Sequence, residues 1–538
     1  MSIFHPLRRR FANRWCLMPG NIGKRVSGLA CAAILGLSGP LAAQDPLSAI
    51  DWLDEQAGQP ADFGVLAPHS SLPPEEPPVS NGVSTPEVSV TPLDDAPRAD
   101  AVGLLPGHVT GFPPTLWQSS DTSVITDLIT AQNVDGQPAM QSLLFALLLA
   151  EALPPKEADG EFLLARIDRL FDLGAVAQAA ELVALSDPTT NPALFQRAFD
   201  LALLADATDP ACAALLAKPH LAPDLSSRIY CMARAGQWGD ALTTLESGRA
   251  LGDISAARYG LLLSFLDPEM AEDLPRLPPS ARMTPLEYRL HEALGEPLPS
   301  ASLPRAFANA DLSGHSGWKA QIEAAERLVR AGALPEQRLF AYYTQGRPSA
   351  SGGVWERAEA VQRFETALNA RDPAEVGKSL RRVWPVMAQT GLKTAFAKTY
   401  AERLAALPLT GSAAAIRFEI AMLSPQYETL ARELEPSGLT QSFAKALAAG
   451  TPGAAPAPSA RARAIVDGFD GPTAPTLRVL LEDGKLGEVI LRAISLTYSA
   501  HLGNDGALTV ALATFRAVGL EDTARRAALQ ALFLTAEG

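Results

Sequence analysis

The sequence predicts an all-α protein in which two-helix units stack as an α-solenoid. Ala and Leu, which are both strong helix formers, account for 93 and 77 of its 538 residues. Aromatic residues make up only 6%, and no region alternates apolar and polar residues with the period of two of a half-buried strand. The chain has 45 basic and 59 acidic side chains, so it has no excess of positive charge with which to bind nucleic acid.

Residues 1–43 have the features of a secretory signal. They contain six basic residues and no acidic residue, followed by a short apolar run and by small residues before Gln44. We expect cleavage between Ala43 and Gln44, export by the Sec route and a periplasmic location. The apolar run is too short to span a bilayer, and both Met1 and Met18 remain open as the start of translation. Removal of 1–43 would leave 39 basic and 59 acidic residues, a net charge near −20.

A short amphipathic segment at 44–56 precedes a linker at 57–118. The segment has apolar residues spaced three apart and includes Trp52. It is either a peptide that docks on a partner with Trp52 as its anchor or a segment that folds back on the protein. The linker is acidic and rich in proline, which excludes long helices, and it has too few apolar residues to offset the entropy of ordering. We therefore expect 57–118 to be disordered.

From residue 119 onwards the apolar residues follow the helical period. Leu163, Ile167 and Leu170 form one stripe, and Leu143–Ala150 is apolar on all sides, which is typical of a buried helix. Glycine adopts the left-handed conformation that ends many helices. We expect helix ends at Gly174, Gly236, Gly332, Gly391, Gly484 and Gly519.

The distribution of proline and glycine divides the helical part of the chain into three. We expect a helical-repeat array over 119–450 and a C-terminal helical cap over 474–538. A Pro/Ala/Gly-rich break over 451–473 separates the two.

Three segments resemble tetratricopeptide-type repeats, in which one helix ends at a glycine and the next opens with an aromatic residue and an alanine. They are Cys231–Leu245, Gly174–Val183 and Gly519–Leu529. The resemblance implies a right-handed superhelix that binds other proteins, as in exported bacterial proteins built from helical repeats. The composition is also similar to that of the helical superstructures of periplasmic lytic transglycosylases, although no catalytic motif built around Glu-Ser accompanies it.

Cys212 and Cys231 are the two cysteines that remain after signal cleavage. They lie on consecutive predicted helices joined by a short turn, and antiparallel neighbours can bring two cysteines within the Cα distance of a disulfide. Because an exported protein meets an oxidising compartment, we expect a Cys212–Cys231 disulfide. The alternative is a pair of unrelated buried thiols.

Residues 342–355 form a polar, glycine-containing loop with aromatic residues at both ends. Tyr342, Tyr343, Arg347 and Trp355 are candidate partner-binding residues, because aromatic residues and arginine around a flexible loop are frequent in binding hot spots. The alternative is a long interhelical loop whose aromatic side chains pack beneath it.

Partial matches to catalytic motifs do not assemble into a site. Gly377-Lys378-Ser379 lacks the first glycine and the preceding strand of a phosphate-binding loop, and Ser316–Lys319 matches Ser-x-x-Lys without its companion motifs. The histidines are scattered and no pair has metal-ligand spacing. We therefore expect no catalytic, cofactor-binding or metal-binding residues.

The sequence favours a noncatalytic periplasmic scaffold or protein-interaction module that binds a protein partner of the cell envelope on a helical-repeat surface. The alternatives are an enzyme that acts on the cell wall and an accessory subunit of a peptidoglycan-processing complex. The sequence predicts neither a nucleic-acid partner nor a membrane span in the mature chain, and it leaves the oligomeric state open.

Overall fold

A computed structural model describes residues 99–275, 278–313 and 315–534 of the chain. Within these ranges the structure contains helices and no β-strand, which confirms the all-α prediction. None of the helices in the described ranges is both long enough and apolar enough to cross a membrane. The predicted signal sequence with Ala43 and Gln44, the segment with Trp52 and the linker as far as residue 98 lie outside the described residues.

The helices follow one another along the chain, most of them with short connections. The first eleven are α1 Gly107–Thr110, α2 Thr122–Ala131, α3 Pro138–Leu149, α4 Glu161–Leu173, α5 Val176–Ala184, α6 Pro192–Leu204, α7 Thr208–Ala217, α8 Leu225–Arg234, α9 Trp238–Leu251, α10 Ala256–Leu266 and α11 Pro285–Ala293. The middle group is α12 Ala308–Asp311, α13 Trp318–Arg330, α14 Glu336–Thr344, α15 Gly353–Ala370, α16 Pro373–Gln389, α17 Lys393–Ala405, α18 Gly411–Met422 and α19 Tyr427–Glu433. The last group is α20 Leu439–Ala448, α21 Ala460–Asp470, α22 Pro475–Glu482, α23 Leu486–His501, α24 Asp505–Ala517 and α25 Glu521–Phe533.

Helices that are neighbours in sequence pack against each other, and glycines end several of them. All six glycines predicted to end helices have a positive φ angle. At Gly174, φ is +83°, and a Cβ would lie 2.6 Å from Cδ2 of Leu328. The glycine therefore permits both the turn after α4 and the close approach of α13.

The buried helix α3 is the element on which the two ends of the described chain meet. Ala139 N–H in its first turn donates to Oε1 of Gln530 on α25 (2.8 Å). Next to α3, Gln132 donates to the carbonyl oxygen of Leu491 on α23 (3.1 Å). These contacts join residues 391 and 359 positions apart, and they add to the packing between sequence neighbours.

The folded part of the chain begins earlier than the sequence predicts. Residues 99–118 were expected to belong to the disordered linker, but Leu116 and Trp117 are almost completely buried. Asp100 accepts hydrogen bonds from the N–H groups of Gly160 (2.7 Å) and Leu163 (2.8 Å), and so caps α4 from outside the helix. The prolines of this stretch exclude a long helix, but an extended segment can still pack on a core built by other elements.

The predicted break at 451–473 also contains a helix. Ser459 accepts a hydrogen bond from Ala462 N–H (3.1 Å) and starts α21. At Gly468, a Cβ would lie 2.9 Å from the carbonyl oxygen of Thr509, so α21 packs tightly on α24. The prolines and glycines on either side of α21 mask its helical pattern in the sequence.

The described residues contain two separate hydrophobic cores. The larger one surrounds α3 and extends through α12–α21 and α23–α25. The smaller one lies within α6–α11, which we call the disulfide lobe (residues 192–293). α6 links them, because Leu201 and Leu204 belong to the larger core whereas Phe199 and Leu203 belong to the smaller one.

Candidate functional site

The predicted disulfide is present in the disulfide lobe. Cys212 on α7 and Cys231 on α8 are bonded, with their Cα atoms 4.9 Å apart. Both residues are buried in the smaller core. The bond therefore links two helices of the lobe from inside.

The predicted partner-binding residues divide between the core and the surface. Tyr343 is completely buried, so we assign it to the core rather than to a binding surface. Tyr342 and Trp355 are half-buried and pack against the larger core, and the Tyr342 carbonyl accepts a hydrogen bond from Nε1 of Trp318 (2.7 Å). Arg347 is exposed. The aromatic residues thus pack beneath the loop, and Arg347 is the one exposed residue of the four.

Tyr343 belongs to a buried network of polar side chains. Its hydroxyl donates to Glu326 (2.7 Å), and Arg357 donates to both carboxylate oxygens of Glu326 (2.6 and 2.9 Å). Burial, together with the nearby Glu326 carboxylate, raises the pKa of the Tyr343 phenol well above its usual value. The network joins α13, α14 and α15, and its ionisable groups form hydrogen bonds with one another.

A groove of about 600 Å³ runs between α15 and α16. Ala360, Ala367 and Ala370 line it together with charged side chains. We call it the α15–α16 groove; its charged lining residues are Glu359, Arg363, Asp372, Glu375, Lys378 and Arg382. Three positive and three negative charges balance, so the groove carries charges of both signs on a largely apolar surface and has no net charge.

The loop that contains Arg347 lies beside this groove. Gln362, which lines the groove, donates from Nε2 to the carbonyl oxygens of Tyr343 (2.7 Å) and Gly346 (2.8 Å). The structure therefore brings one residue predicted from the sequence, Arg347, next to a concave surface that the sequence does not reveal.

A second concavity, of about 250 Å³, lies at the first turn of α3. Its walls come from α3, α17, α25 and the segments after α1 and α18. We call it the α3 cavity. Its polar lining residues are Thr110, Ser142, Thr394, Lys398, Ser424, Asp522, Thr523, Arg526 and Gln530. Its apolar lining residues are Phe112, Pro138, Ala139, Leu143, Ala146, Met422, Leu423, Pro425 and Leu520.

Some charged side chains around the α3 cavity form ion pairs, and one does not. Asp522 is 2.7 Å from Nε of Arg526 and accepts a hydrogen bond from the hydroxyl of Tyr427 (2.9 Å). Burial raises the pKa of the Tyr427 phenol, an effect that the Asp522 carboxylate reinforces, so Tyr427 stays a neutral donor. Lys398 is half-buried and forms no ion pair or hydrogen bond with any residue in the described ranges. One positive charge therefore remains uncompensated at the cavity.

The partial catalytic motifs fall at structural positions. Gly377 lies inside α16, where a Cβ would be 3.4 Å from the Ala413 side chain, so it marks close helix packing and no phosphate-binding loop. Ser316 donates from its hydroxyl to Asp311 (2.8 Å) before α13 begins.

The residues of the groove and the cavity are those that sequence reasoning missed. Thr394 and Lys398 are four residues apart and so share a face of α17, which is a weak local signal. They line a cavity only because α3 and α25, which lie more than 100 residues away in sequence on either side, form its other walls. No protein-family model, characterised protein or solved structure matches this chain. Its function is therefore inferred from the groove and the cavity themselves.

Proposed function

We propose that this chain is an exported, noncatalytic protein of the cell envelope that holds a protein partner in the α15–α16 groove. The helices form an α-solenoid of tetratricopeptide-like two-helix units whose two ends meet on α3. The packing between consecutive helices supports the stacking of the units, and the contacts of α3 with α23 and α25 join the ends. The Cys212–Cys231 disulfide supports export, because such bonds persist in oxidising compartments.

The single observation that carries the proposal is the lining of the groove. Alanine side chains are small, so the backbone of a bound segment can approach α15 and α16 closely. The charged side chains pair within the groove: Glu359 with Arg363, and Glu375 with Lys378 (3.5 Å). Exposed ion pairs of this kind contribute only about 0–1 kcal/mol, so a partner can replace them at little cost. These features favour a peptide segment that carries charges of both signs.

The proposal is tested by reversing two charges of the groove in the full-length chain. We expect Arg363→Glu combined with Lys378→Glu to abolish crosslinking of the partner in intact cells, because both new carboxylates repel the acidic side chains that the wild-type cations attract. Both positions are exposed, so the stability should change by less than about 0.5 kcal/mol per site. Crosslinked products would be recovered from the envelope fraction and identified by mass spectrometry.

The matched control is Arg432→Glu on α19, where the wild-type arginine is also exposed and also pairs with a glutamate one turn away, Glu428. This variant should capture the same partner in the same amount as the wild type. Equal capture by the groove variant and the control would contradict binding in the α15–α16 groove.

A further inference from the structure

The first turn of α17 opens directly onto the α3 cavity. α17 begins at Lys393 after Leu392, and no side chain caps its N-terminus. Thr394 in this first turn and Lys398 in the second turn line the cavity. The N-terminus of a helix carries partial positive charge and unpaired N–H groups, both of which favour an anion.

Thr394 provides an observation that is independent of the helix terminus. Its side chain is only 6% exposed, and its hydroxyl has no hydrogen-bond partner in the described part of the chain. A buried hydroxyl without a partner costs free energy unless a ligand satisfies it. Thr394 lines both the α3 cavity and an adjoining smaller cavity of about 40 Å³, so a rotation of its side chain would bring the hydroxyl to a ligand in this place.

Lys398 supplies the charge that such a ligand would neutralise. It lines the same two cavities. The acidic group opposite, Asp522, is already held by Arg526 and Tyr427. The neighbouring Lys393 is also engaged, because it pairs with Glu419 and donates to the carbonyl oxygen of Phe533 (2.6 Å). No carboxylate in the described ranges lies within ion-pair distance of the Lys398 ammonium group; Glu336, which lines the smaller cavity, lies beyond that distance.

We propose that the α3 cavity binds a short-chain aliphatic carboxylate, with the carboxylate at Lys398 and Thr394 and the aliphatic chain along the apolar wall. That wall includes Leu143, Met422 and Leu520, which favours a ligand with an apolar body over a fully hydrated inorganic anion. The volume of about 250 Å³ is below the usual range of pockets for drug-sized ligands, which restricts the ligand to a small molecule. Ser142 is exposed, so the cavity opens to solvent on the outer face of α3 and a ligand can enter there.

This site is separate from the proposed function, because the α3 cavity and the α15–α16 groove share no lining residue. Loss of partner capture by a groove variant therefore says nothing about the cavity, and the cavity can be tested on the purified chain alone.

The test is calorimetric titration of the purified protein with hexanoate and with hexanamide, which has a similar shape but no charge. We expect hexanoate to bind at least about 10-fold more tightly than hexanamide. Lys398→Met, which keeps the aliphatic stem, should lower hexanoate affinity at least about 10-fold. Thr394→Val should lower it several-fold, because the hydroxyl is lost and the size of the side chain is retained.

Two further variants distinguish the loss of the positive charge of Lys398 from a general loss of the folded structure. Lys398→Arg keeps the positive charge and should bind hexanoate more tightly than Lys398→Met does. Lys378→Met removes a lysine from the α15–α16 groove and should bind hexanoate as the wild type does. The proposal is overturned if titration with hexanoate gives no binding heat with the wild type, if hexanamide binds equally well, or if Lys398→Met binds as the wild type does.

Discussion

The disulfide lobe and the region around α3 are stabilised in different ways. In the lobe, every helix contacts a near neighbour in sequence, and a covalent bond joins α7 to α8. Around α3, the stabilising contacts join distant parts of the chain: the Leu116 carbonyl accepts a hydrogen bond from Gly487 N–H (3.0 Å), and the Trp117 ring lies against the same glycine.

The difference follows from the size of the two cores. The smaller core has fewer buried apolar side chains, so it has less hydrophobic free energy with which to offset chain entropy, and a crosslink adds stability by restricting the unfolded chain. The larger core needs no crosslink for its stability, but it is complete only when the last helices of the described chain pack against the first ones. The α3 cavity lies at that junction, so its geometry depends on contacts between the chain ends.

The largest effect is expected from removal of the Trp117 side chain. Trp117 is 1% exposed, and its ring packs 5.5 Å from that of Phe162. Trp117→Ala should destabilise the protein by about 4 kcal/mol, because it leaves a large cavity where the chain ends meet. Urea unfolding followed by circular dichroism measures the change.

The disulfide lobe provides the matched control. Trp238 starts α9, is 49% exposed and contacts Phe265 at 6.0 Å between ring centroids. Trp238→Ala should cost less than about 1 kcal/mol, because most of its surface already faces water. Trp117→Phe should cost less than half as much as Trp117→Ala, since the indole N–H it removes has no partner in the described ranges. Equal costs for the two Trp→Ala variants would contradict the importance of the chain-end contact.

The same contrast explains what the sequence could and could not predict. The helices, the glycines that end them, the buried character of α3 and the Cys212–Cys231 bond all depend on residues close together in the chain, and the structure confirms them. The contact of Trp117 with Gly487 joins residues 370 positions apart, and neither residue carries a local signal for it. The proline-rich composition also conceals the folded segment 99–118, because an extended segment has no helical period to detect.

A smaller effect is expected from removing the disulfide. The bond closes a loop with a sequence separation of 19 residues, for which the chain-entropy model gives about 3 kcal/mol. Cys212→Ala combined with Cys231→Ala should therefore destabilise the lobe by about that amount. Amide hydrogen exchange should speed up in α7 and α8 but not in α3 or α23. A uniform increase along the chain would show that the two regions unfold as one unit.

The smallest effect concerns Asp200 on α6, the helix that links the two cores. Burial raises the pKa of Asp200 from 3.8 to about 7; Arg197 opposes the rise, and the carboxylates of Asp224 and Asp168 reinforce it. Arg197 itself pairs with Asp168 (2.9 Å), and Asp224 pairs with Arg258 (2.6 Å). Between pH 4 and 7, Asp200 is thus protonated in the folded state and ionised in the unfolded state. Its contribution to the free energy of unfolding therefore falls as the pH rises through that range, and it stays low above pH 7.

Asp200→Asn should remove that dependence, because the amide stays neutral in both states. The variant should be as stable as the wild type near pH 4 and more stable at pH 8 by about 2 kcal/mol. This free energy is smaller than the one that the full pKa shift of Asp200 would give, because the side chain is only partly shielded from water. Urea unfolding at pH 4, 5, 6, 7 and 8 measures the difference. Asp253→Asn changes an exposed carboxylate after α9 and should follow the wild type at every pH. If the stability of Asp200→Asn also equals that of the wild type at every pH, the charge on Asp200 does not weaken the link between the disulfide lobe and the larger core.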